Sequence, residues 1–277
     1  MNRLLLVVLM VLAPLAAGQA ADIEMFTAGS AGRLTLDEQG RVVEVELYNQ
    51  KLGKEILADY AKQIRAWRFE PVLIDGKATP VTGYMGLGLV AFQQKGTDGV
   101  RLGVRSVTFT DPPSMQDDSG QTRFDGDVAR PVYPRKAANA GVGATVVLVV
   151  KVDQSGAVID AAAKSVWLLG TSAGTAANQR AMAGQFARVS EYAAGKWRFA
   201  NPPEGGMLMV PVAFTIPGAD RQRWVRTHPV DIEVPAWVTA ATEDPSVRGF
   251  AESGAPLSDK FRLLTKLDDN EPGAAGG

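Results

Sequence analysis

The sequence predicts an α+β fold made of two small, similar domains, each an antiparallel sheet with a helix packed on one face. The main observation is an internal repeat: an Asp-x-x-Gly segment followed by Trp-Arg-Phe occurs from Asp37 to Phe69 and again from Asp153 to Phe199. In each copy, alternating apolar residues flank the Asp-x-x-Gly, and helix-like apolar spacing leads to the Trp-Arg-Phe. A repeat of this length indicates two structural modules.

A β-hairpin is predicted at the start of the first module. Apolar and polar residues alternate over 33–36 and 43–47, on either side of Asp37-Glu-Gln-Gly40. This alternation is typical of two strands with one buried face. Gly40 can adopt the positive φ of a tight turn, and the Asp37 carboxylate can accept hydrogen bonds from the turn amides.

A helix and a glycine-containing strand are predicted to complete this module. Apolar residues recur at spacings of three and four on the helix; they are Ile56 or Leu57, Tyr60, Ile64 and Trp67. Pro71 is expected to end the helix. The next strand-like run, from Val81 to Phe92, contains Gly83, Gly86 and Gly88. Glycine within a strand indicates a bulge or the close approach of another backbone.

The second module is predicted to repeat this order with a longer loop and helix. It opens with a short helix over 135–140, and the apolar run of the strand over 145–152 indicates that both strand faces are covered. A second strand and a helix follow Asp153 to Gly156. One face of that helix is apolar and carries Met182, Phe186, Val189, Ala193 and Trp197. A closing strand is predicted over 207–216.

These patterns divide the chain into five parts. We expect a signal peptide at 1–21, the first module at 22–113, a linker at 114–127, the second module at 128–218 and an irregular extension at 219–277. In the extension, Trp224 and Trp237 are expected to hold the chain against a domain. The end, from Asn270 to Gly277, is expected to be disordered.

The N-terminal segment has the pattern of a signal peptide, which predicts that the protein is exported from the cytoplasm. Leu4 to Gly18 is almost wholly apolar but is interrupted by Pro14, and it is shorter than the roughly 20 residues that a transmembrane helix needs. A cleavable secretory signal is therefore favoured over an uncleaved inner-membrane anchor. No membrane span is expected after cleavage.

The composition argues against several kinds of site. The chain has no cysteine, which excludes disulfides, thiolate metal sites and cysteine nucleophiles. A net charge of -1 and the lack of a basic stripe argue against nucleic acid as a partner. The single histidine, His228, has no second histidine near it, and each Asp-x-x-Gly offers one recurring carboxylate. No metal site or cofactor is predicted.

The second module resembles the C-terminal domain of the TonB family of energy transducers over residues 128–218. The matching residues, in order, are Tyr133-Pro134, Gly143-Ala-Thr-Val146, Asp153-Gln-Ser-Gly156, Ser172-Ala-Gly174, Trp197-Arg-Phe199 with Pro202, and Val210-Pro-Val-Ala-Phe214. The first module is similar only from Leu34 to Phe92 and is interpreted as a degenerate copy. The resemblance implies two TonB-like domains in the periplasm of a Gram-negative bacterium.

The resemblance also implies where the function lies. In the family, the last strand of the domain receives an extended peptide from an outer-membrane receptor by strand addition. The matching strand here is 207–216, with Val210, Val212 and Phe214 on one face and Met209 and Ala213 on the other. The family's uncleaved anchor and Pro-rich linker have no counterpart in this sequence. We therefore expect a periplasmic interaction module related to transport across the envelope, with TonB-dependent receptors as partners.

Two alternatives stay open. In the first, the edge of the 207–216 strand is covered by the first module or by the Trp-containing extension, and the modules form a structural scaffold or a homodimer that binds no receptor. The second is a serine hydrolase, because Gly170-Thr-Ser172-Ala-Gly174 matches the Gly-x-Ser-x-Gly motif and Asp220 and His228 follow in the order of a triad. A hydrolase of that class needs a mostly parallel sheet, which the predicted hairpins do not supply. No catalytic residue is predicted.

Overall fold

A computed structural model of the chain describes residues 23–94, 99–110, 122–170, 174–216, 220, 222–244, 247–250, 257–258, 260–265 and 267. The predicted signal peptide, residues 114–121 of the predicted linker and the predicted disordered end lie outside these ranges. Within them, no helix combines the length and the apolar character that crossing a bilayer requires.

Most of the strands belong to one large sheet. In chain order they are β1 (Ile23–Leu36), β2 (Val42–Leu47), β3 (Leu73–Ile74), β4 (Lys77–Ala78), β5 (Val81–Gln94), β6 (Val100–Thr110), β7 (Arg123–Phe124), β8 (Gly143–Val152), β9 (Val158–Leu169), β10 (Phe199–Ala200), β11 (Met207–Phe214), β12 (Val225–Val230) and β13 (Arg248–Gly249). The helices are α1 (Lys54–Arg65), α2 (Arg135–Asn139), α3 (Ala176–Ala194) and α4 (Ala236–Glu243), and a 3-10 turn spans Gln50–Leu52.

The large sheet has the order β13-β11-β8-β9-β12-β1-β5-β6, with β2 also paired to β1. Its pairings are antiparallel apart from the short one between β11 and β13. Strands β7 and β10 form one separate pair, and β3 and β4 form another. The predicted α+β class and its antiparallel sheet are confirmed.

Both modules contain the same three-stranded unit. In the first, the β1–β2 hairpin has β5 on the far side of β1; in the second, the β8–β9 hairpin has β11 on the far side of β8. A helix follows each hairpin and packs on its unit, α1 against β2 and α3 against β9 and β8. The two copies of the sequence repeat therefore fold with the same strand topology.

The two halves of the repeated motif touch each other. The N–H of Phe69 donates to the carbonyl of Gly40 at 2.9 Å, and the N–H of Phe199 donates to that of Gly156 at 2.8 Å. Both glycines have positive φ, 72° and 77°. A Cβ atom at either one would collide with the carbonyl oxygen of the facing phenylalanine. The motif thus joins a glycine turn to the segment that lies across it.

The Trp-Arg-Phe segments are extended, which corrects the prediction that a helix continues to Pro71. Helix α1 ends at Arg65, and Arg68 forms a bridge with Arg41 just after the turn. Arg198 forms the equivalent bridge with Ala157. The aromatic residues of both segments are buried and the arginines exposed, as expected for core residues.

The extension, predicted to be irregular, supplies a strand that joins the two modules. Strand β12 pairs with β9 from Thr227 opposite Leu169 to Val230 opposite Val166. Its other edge pairs with β1 at Phe26 and Thr27, beyond the part of β1 that β2 covers. The Thr27 and Thr227 hydroxyls form a buried hydrogen bond at 2.7 Å.

Helix α4 covers a second face of the sheet, whereas each predicted domain has a helix on one face only. Val149 of β8 packs with Val238 and Ala241 of α4, while the neighbouring Leu148 points to the opposite face and lies in the α3 core. Both faces of β8 are therefore covered, as its apolar run predicts.

The two tryptophans of the extension pack on different modules. Trp237 joins the α4 cluster on the second module, and Trp224 packs on the core of the first. Both therefore hold the extension in place, as the sequence predicts.

The last described part of the extension packs on the first module. The Phe261 ring occupies the space above Gly83, where a Cβ atom would collide with it, and stacks on Phe109 with 5.6 Å between centroids. The N–H of Glu70 donates to the carbonyl of Arg262 at 3.0 Å. The close approach predicted at Gly83 is thus made by a side chain.

The sheet is strongly curved where the modules meet. Thr145 on β8 and Ser106 on β6 line one cavity although four strands separate β8 from β6 in the sheet order. Neighbouring strands lie about 4.8 Å apart, so a flat sheet would place these two about 24 Å apart. Trp167 of β9 also packs against Val90 and Phe92 of β5. Parts of the two modules therefore face each other across the cavity.

Candidate functional site: the outer edge of strand β11

Strand β11 carries the residues that the sequence predicts as a peptide-binding site. It pairs with β8 over its whole length, from Met207 opposite Lys151 to Phe214 opposite Ala144. Burial alternates along the strand, with even-numbered residues buried and odd-numbered residues partly exposed. Successive side chains of a strand point to opposite faces, which explains this alternation.

The predicted site residues divide between these two faces. Val210, Val212 and Phe214 belong to the core that includes residues of α3, and the Phe214 ring lies 4.7 Å from that of Phe186. Met209 packs in the α4 cluster, and Ala213 is half-buried. Because the first three side chains fill the core, the strand offers its main chain and its odd-numbered face to a partner.

The chain's own extension occupies the first part of the outer edge. Strand β13 pairs parallel with β11, Arg248 beside Leu208 and Gly249 beside Met209. The N–H of Phe250 then donates to the carbonyl of Met209 at 2.9 Å. No sequence periodicity marks the position of β13, but cover of this edge by the extension is one of the alternatives that the sequence leaves open.

Phe250 anchors the short strand to the core of the second module. Its side chain is 3% exposed, and its ring centroid lies 5.2 Å from that of Phe124 and 5.5 Å from that of Phe199. Phe199 is the phenylalanine of the repeated motif. The edge pairing and the motif therefore share one aromatic cluster.

Beyond Met209, no strand of the described residues pairs with the outer edge of β11. The Met209 carbonyl points outward, and by the alternation of an antiparallel ladder the main-chain groups of Pro211 and Ala213 point the same way. Proline has no N–H, and within sheets it is typical of edge strands. Pro211 is thus a sequence signal for this edge that the prediction did not use.

The first module has the equivalent edge covered. Strand β5 is the counterpart of β11, and β6 pairs with it from Tyr84 opposite Thr110 to Gln93 opposite Val100. In the second module, the corresponding partner is the two-residue β13. The repeat therefore presents one closed edge and one edge that is partly open within the described residues.

The described residues place only two members of the triad of the hydrolase alternative, Asp220 and His228. Ser172 lies outside the described residues. The Asp220 carboxylate accepts a hydrogen bond from Lys51 Nζ at 2.7 Å, and this bond, with that from the Gln222 N–H, lowers the pKa of Asp220. His228 lies on β12 opposite Leu168. No described hydrogen bond links Asp220 to His228, the contact that orients the base of a triad.

His228 is held in a partly buried position at the junction of the modules. Its Nε2 atom is buried and has no hydrogen-bond partner among the described residues. Burial lowers the pKa of His228, and the positive charge of Arg226 lowers it further, while a hydrogen bond with the Gly170 backbone and the charge of Glu24 oppose the shift. Glu24 itself pairs with Arg226 at 2.8 Å. The folded chain therefore favours the neutral imidazole.

The carboxylates of the repeated turns are used within the turns. Asp37 accepts a hydrogen bond from the Arg41 N–H at 2.9 Å, and Asp153 accepts one from the Ser155 hydroxyl at 2.7 Å and one from the Ala157 N–H at 3.0 Å. These bonds lower the pKa of both carboxyls. Across the described ranges, no group of three His, Cys, Asp or Glu side chains is placed to hold a metal ion.

The described residues define an α+β protein with a repeated three-stranded unit and a partly open sheet edge. Comparison of the chain with models of protein families, with curated proteins and with solved structures gave no match. The resemblance of the second module to TonB stays a prediction from its residue pattern.

Proposed function

We propose that this chain is a non-enzymatic, periplasmic TonB-like binding protein that receives an extended peptide on the outer edge of β11. The observation that carries the proposal is the stretch from Val210 to Phe214, which continues an edge that β13 already uses for strand pairing. Unpaired main-chain groups at the edge of a sheet are a template for a further strand. The same edge of the first module pairs with β6 in this manner.

The peptide would bind mainly through its backbone. The Pro211 carbonyl and the N–H and carbonyl of Ala213 offer three main-chain hydrogen bonds, each contributing about 0.5–1.5 kcal/mol. Their sum is about 1.5–4.5 kcal/mol, whose upper end reaches the roughly 4 kcal/mol of a millimolar complex. Contacts with the half-buried face of Ala213 would add to it. Such an edge suits a transient partner, and the TonB resemblance suggests the periplasmic termini of outer-membrane receptors.

A structural scaffold is the second candidate function. The observation in its favour is β12, which pairs with both modules, while β13 covers the start of the β11 edge. In this case the outer edge of β11 would bind no receptor peptide. A homodimer formed through the same edge is the other form of this candidate.

The test is a titration of the processed chain, residues 22–277, with synthetic peptides that have the sequences of receptor termini. Amide NMR signals of residues 207–214 are expected to shift, that of Ala213 most strongly. Ala213→Pro removes the outward N–H in the manner of native Pro211, so it is expected to weaken peptide binding by about three- to tenfold.

Ala213→Val is the matched control, because it changes the side chain and keeps the N–H. This variant is expected to retain the titration. If no peptide shifts the β11 amides, or if Ala213→Pro binds as tightly as the parent chain, strand addition at this edge is wrong. Concentration-dependent dimerisation without peptide binding would favour the scaffold.

A further inference from the structure

We propose that the cavity between the two modules, together with two tyrosines beside it, binds a neutral saccharide at a site separate from the β11 edge. The cavity has a volume of about 210 Å³. Its lining comes from β1, β5 and β6 of the first module, from Thr145 and Leu169 of the second, and from Val225 of β12. A ligand in it would contact both modules and the strand that joins them.

The first module supplies a floor that lacks large side chains. Gly88 of β5 lies opposite Gly29 of β1, and Gly86 lies opposite Ala31. Leu87, between the two glycines of β5, belongs to the core that α1 helps to form, so these glycines are on the other face of the strand. Glycine inside a strand is typical of places where a ligand or a backbone approaches closely.

Two hydroxyl groups belong to opposite walls of the cavity. Ser106 is on β6 of the first module, and Thr145, which is 7% exposed, is on β8 of the second. The Ser106 Oγ atom lies where a side chain at Gly88 would begin, so the glycine lets this hydroxyl lie over the floor. Among the described residues neither hydroxyl has a hydrogen-bond partner, whereas Thr27 bonds to Thr227. A hydroxyl without a partner is costly when buried, and a ligand hydroxyl would supply the missing bond.

The one charged side chain of the described lining is already engaged. The Arg105 guanidinium lies 4.5 Å from the centroid of the Trp167 ring and takes part in a further interaction within the chain. Its charge is therefore not assigned to a ligand. The other lining residues are uncharged, so the lining suits a neutral ligand whose polar groups are hydroxyls.

Two tyrosines lie beside the floor on the same face of the sheet. Tyr84 precedes Gly86 by two residues on β5, which places both on one face. The N–H of Tyr48 donates to the carbonyl of Ala31, the residue opposite Gly86, at 2.8 Å. Leu47 packs on the α1 core, so the residue that follows it is directed to the other face. Tyr84 is 40% exposed and Tyr48 is 43% exposed, which leaves part of each ring open to a ligand.

This combination of groups favours a saccharide among neutral ligands. A sugar ring carries several hydroxyls, each a donor and an acceptor, and it has an apolar face of C–H groups. The hydroxyls would pair with Ser106 and Thr145, and the apolar face would pack on a tyrosine ring. The cavity volume of about 210 Å³ is smaller than the roughly 300 Å³ at which typical ligand pockets begin. We therefore expect it to hold one sugar unit.

The test is an amide NMR titration of the processed chain, residues 22–277, with the methyl glycosides of glucose, galactose and mannose. Saturable shifts of the Gly86, Gly88 and Thr145 amides are expected with at least one of them. The amides of residues 207–214 report on the peptide edge and are expected to stay unchanged. Cyclohexanol is the control ligand, because it has a six-membered ring and a single hydroxyl. It is expected to bind more weakly than the glycoside.

Two variants test the groups that carry the proposal. Thr145→Val removes the hydroxyl and keeps the shape of the side chain, so it is expected to weaken glycoside binding by about three- to tenfold, the value of one hydrogen bond. Tyr84→Ala is also expected to weaken binding, because it removes the surface on which the sugar ring packs.

Tyr192→Ala is the matched control. Tyr192 is also an exposed tyrosine, 72% exposed, but it lies on α3 beside Lys196 and does not line the cavity. This variant is expected to bind the glycoside like the parent chain.

Three results would overturn the proposal: no saturable shift with any of the glycosides, equal binding of cyclohexanol, or unchanged affinity in both Thr145→Val and Tyr84→Ala. Circular dichroism checks that each variant folds. If Thr145→Val does not fold, the result with Tyr84→Ala decides.

Discussion

Two glycines explain why the repeated motif has its residue types. Gly40 and Gly156 close their turns in the left-handed region and have a phenylalanine carbonyl where a side chain would begin. Phe69 and Phe199 in turn place their rings in the cores of the two modules. In each copy of the motif, the glycine forms the turn and the phenylalanine that packs across it lies in the core of the module.

Gly156→Ala is expected to destabilise the chain by about 3 kcal/mol or more. The left-handed φ costs a non-glycine residue about 1–2 kcal/mol, and the collision with the Phe199 carbonyl forces a backbone shift that costs more. Gly126→Ala is the control, because Gly126 has a φ of 73° with no atom within 4 Å of the added Cβ. Urea unfolding measures both variants. Equal losses would show that the contact with Phe199 does not matter.

Among the strands, β12 is the one that pairs with both modules. It pairs with β9 and with β1, and it brings the single histidine of the chain to the junction. Its sequence, Val225-Arg-Thr-His-Pro-Val230, shows no clear apolar alternation. A strand of this kind is specified by the two edges that it joins.

The stability of the chain is expected to fall through His228 as the pH decreases below about 6.5. The pKa of His228 is lowered from 6.5 in the folded chain, so the unfolded chain binds the proton more readily. Stability is then complete above pH 6.5 and decreases as the pH falls toward the folded pKa. Carboxyl groups titrate mostly below this range, and the chain has no second histidine.

Urea unfolding from pH 7.5 to 5 checks this expectation. His228→Gln keeps a polar side chain of similar length and does not titrate, so its stability is expected to vary less with pH than that of the parent chain. If the two pH profiles have the same slope, His228 is not the group responsible.

For the whole molecule, the extension acts as a connector between the two modules. Phe250 packs with the aromatic core of the second module, and Phe261 packs in the core of the first. Between their positions in the chain, the N–H of Ser258 donates to the carbonyl of Phe109 on β6 at 2.8 Å. The extension thus contacts both ends of the large sheet.

Removal of residues 219–277 is expected to lower the stability of the chain and to increase the binding of an apolar dye. The truncated chain loses β12 together with two buried phenylalanines, and replacing one buried Phe by Ala already costs about 3–5 kcal/mol. A chain that ends at residue 267 is the control. Urea unfolding and dye fluorescence compare the two. Equal midpoints would mean that the modules do not need the extension.

Local patterns in the sequence were enough to predict the repeat, the two hairpins, the main helices and the α+β class. These features follow from periodicities of two and 3.6 residues and from turn glycines, which act within a few positions. The end of the first helix was predicted wrongly. The extended Trp-Arg-Phe segment continues the apolar spacing of the helix, so the helix was expected to run to Pro71 although α1 ends at Arg65.

The pairing of the edges and the place where the modules face each other emerged only from the assembled fold. The pairings of β12 and β13, and the contact of Arg105 with Trp167, join residues that are distant in the chain. No local period encodes such contacts, because they depend on the curvature of the sheet and on free main-chain groups at its edges. The part of the β11 edge that no described strand covers, and the cavity, are therefore properties of the tertiary structure.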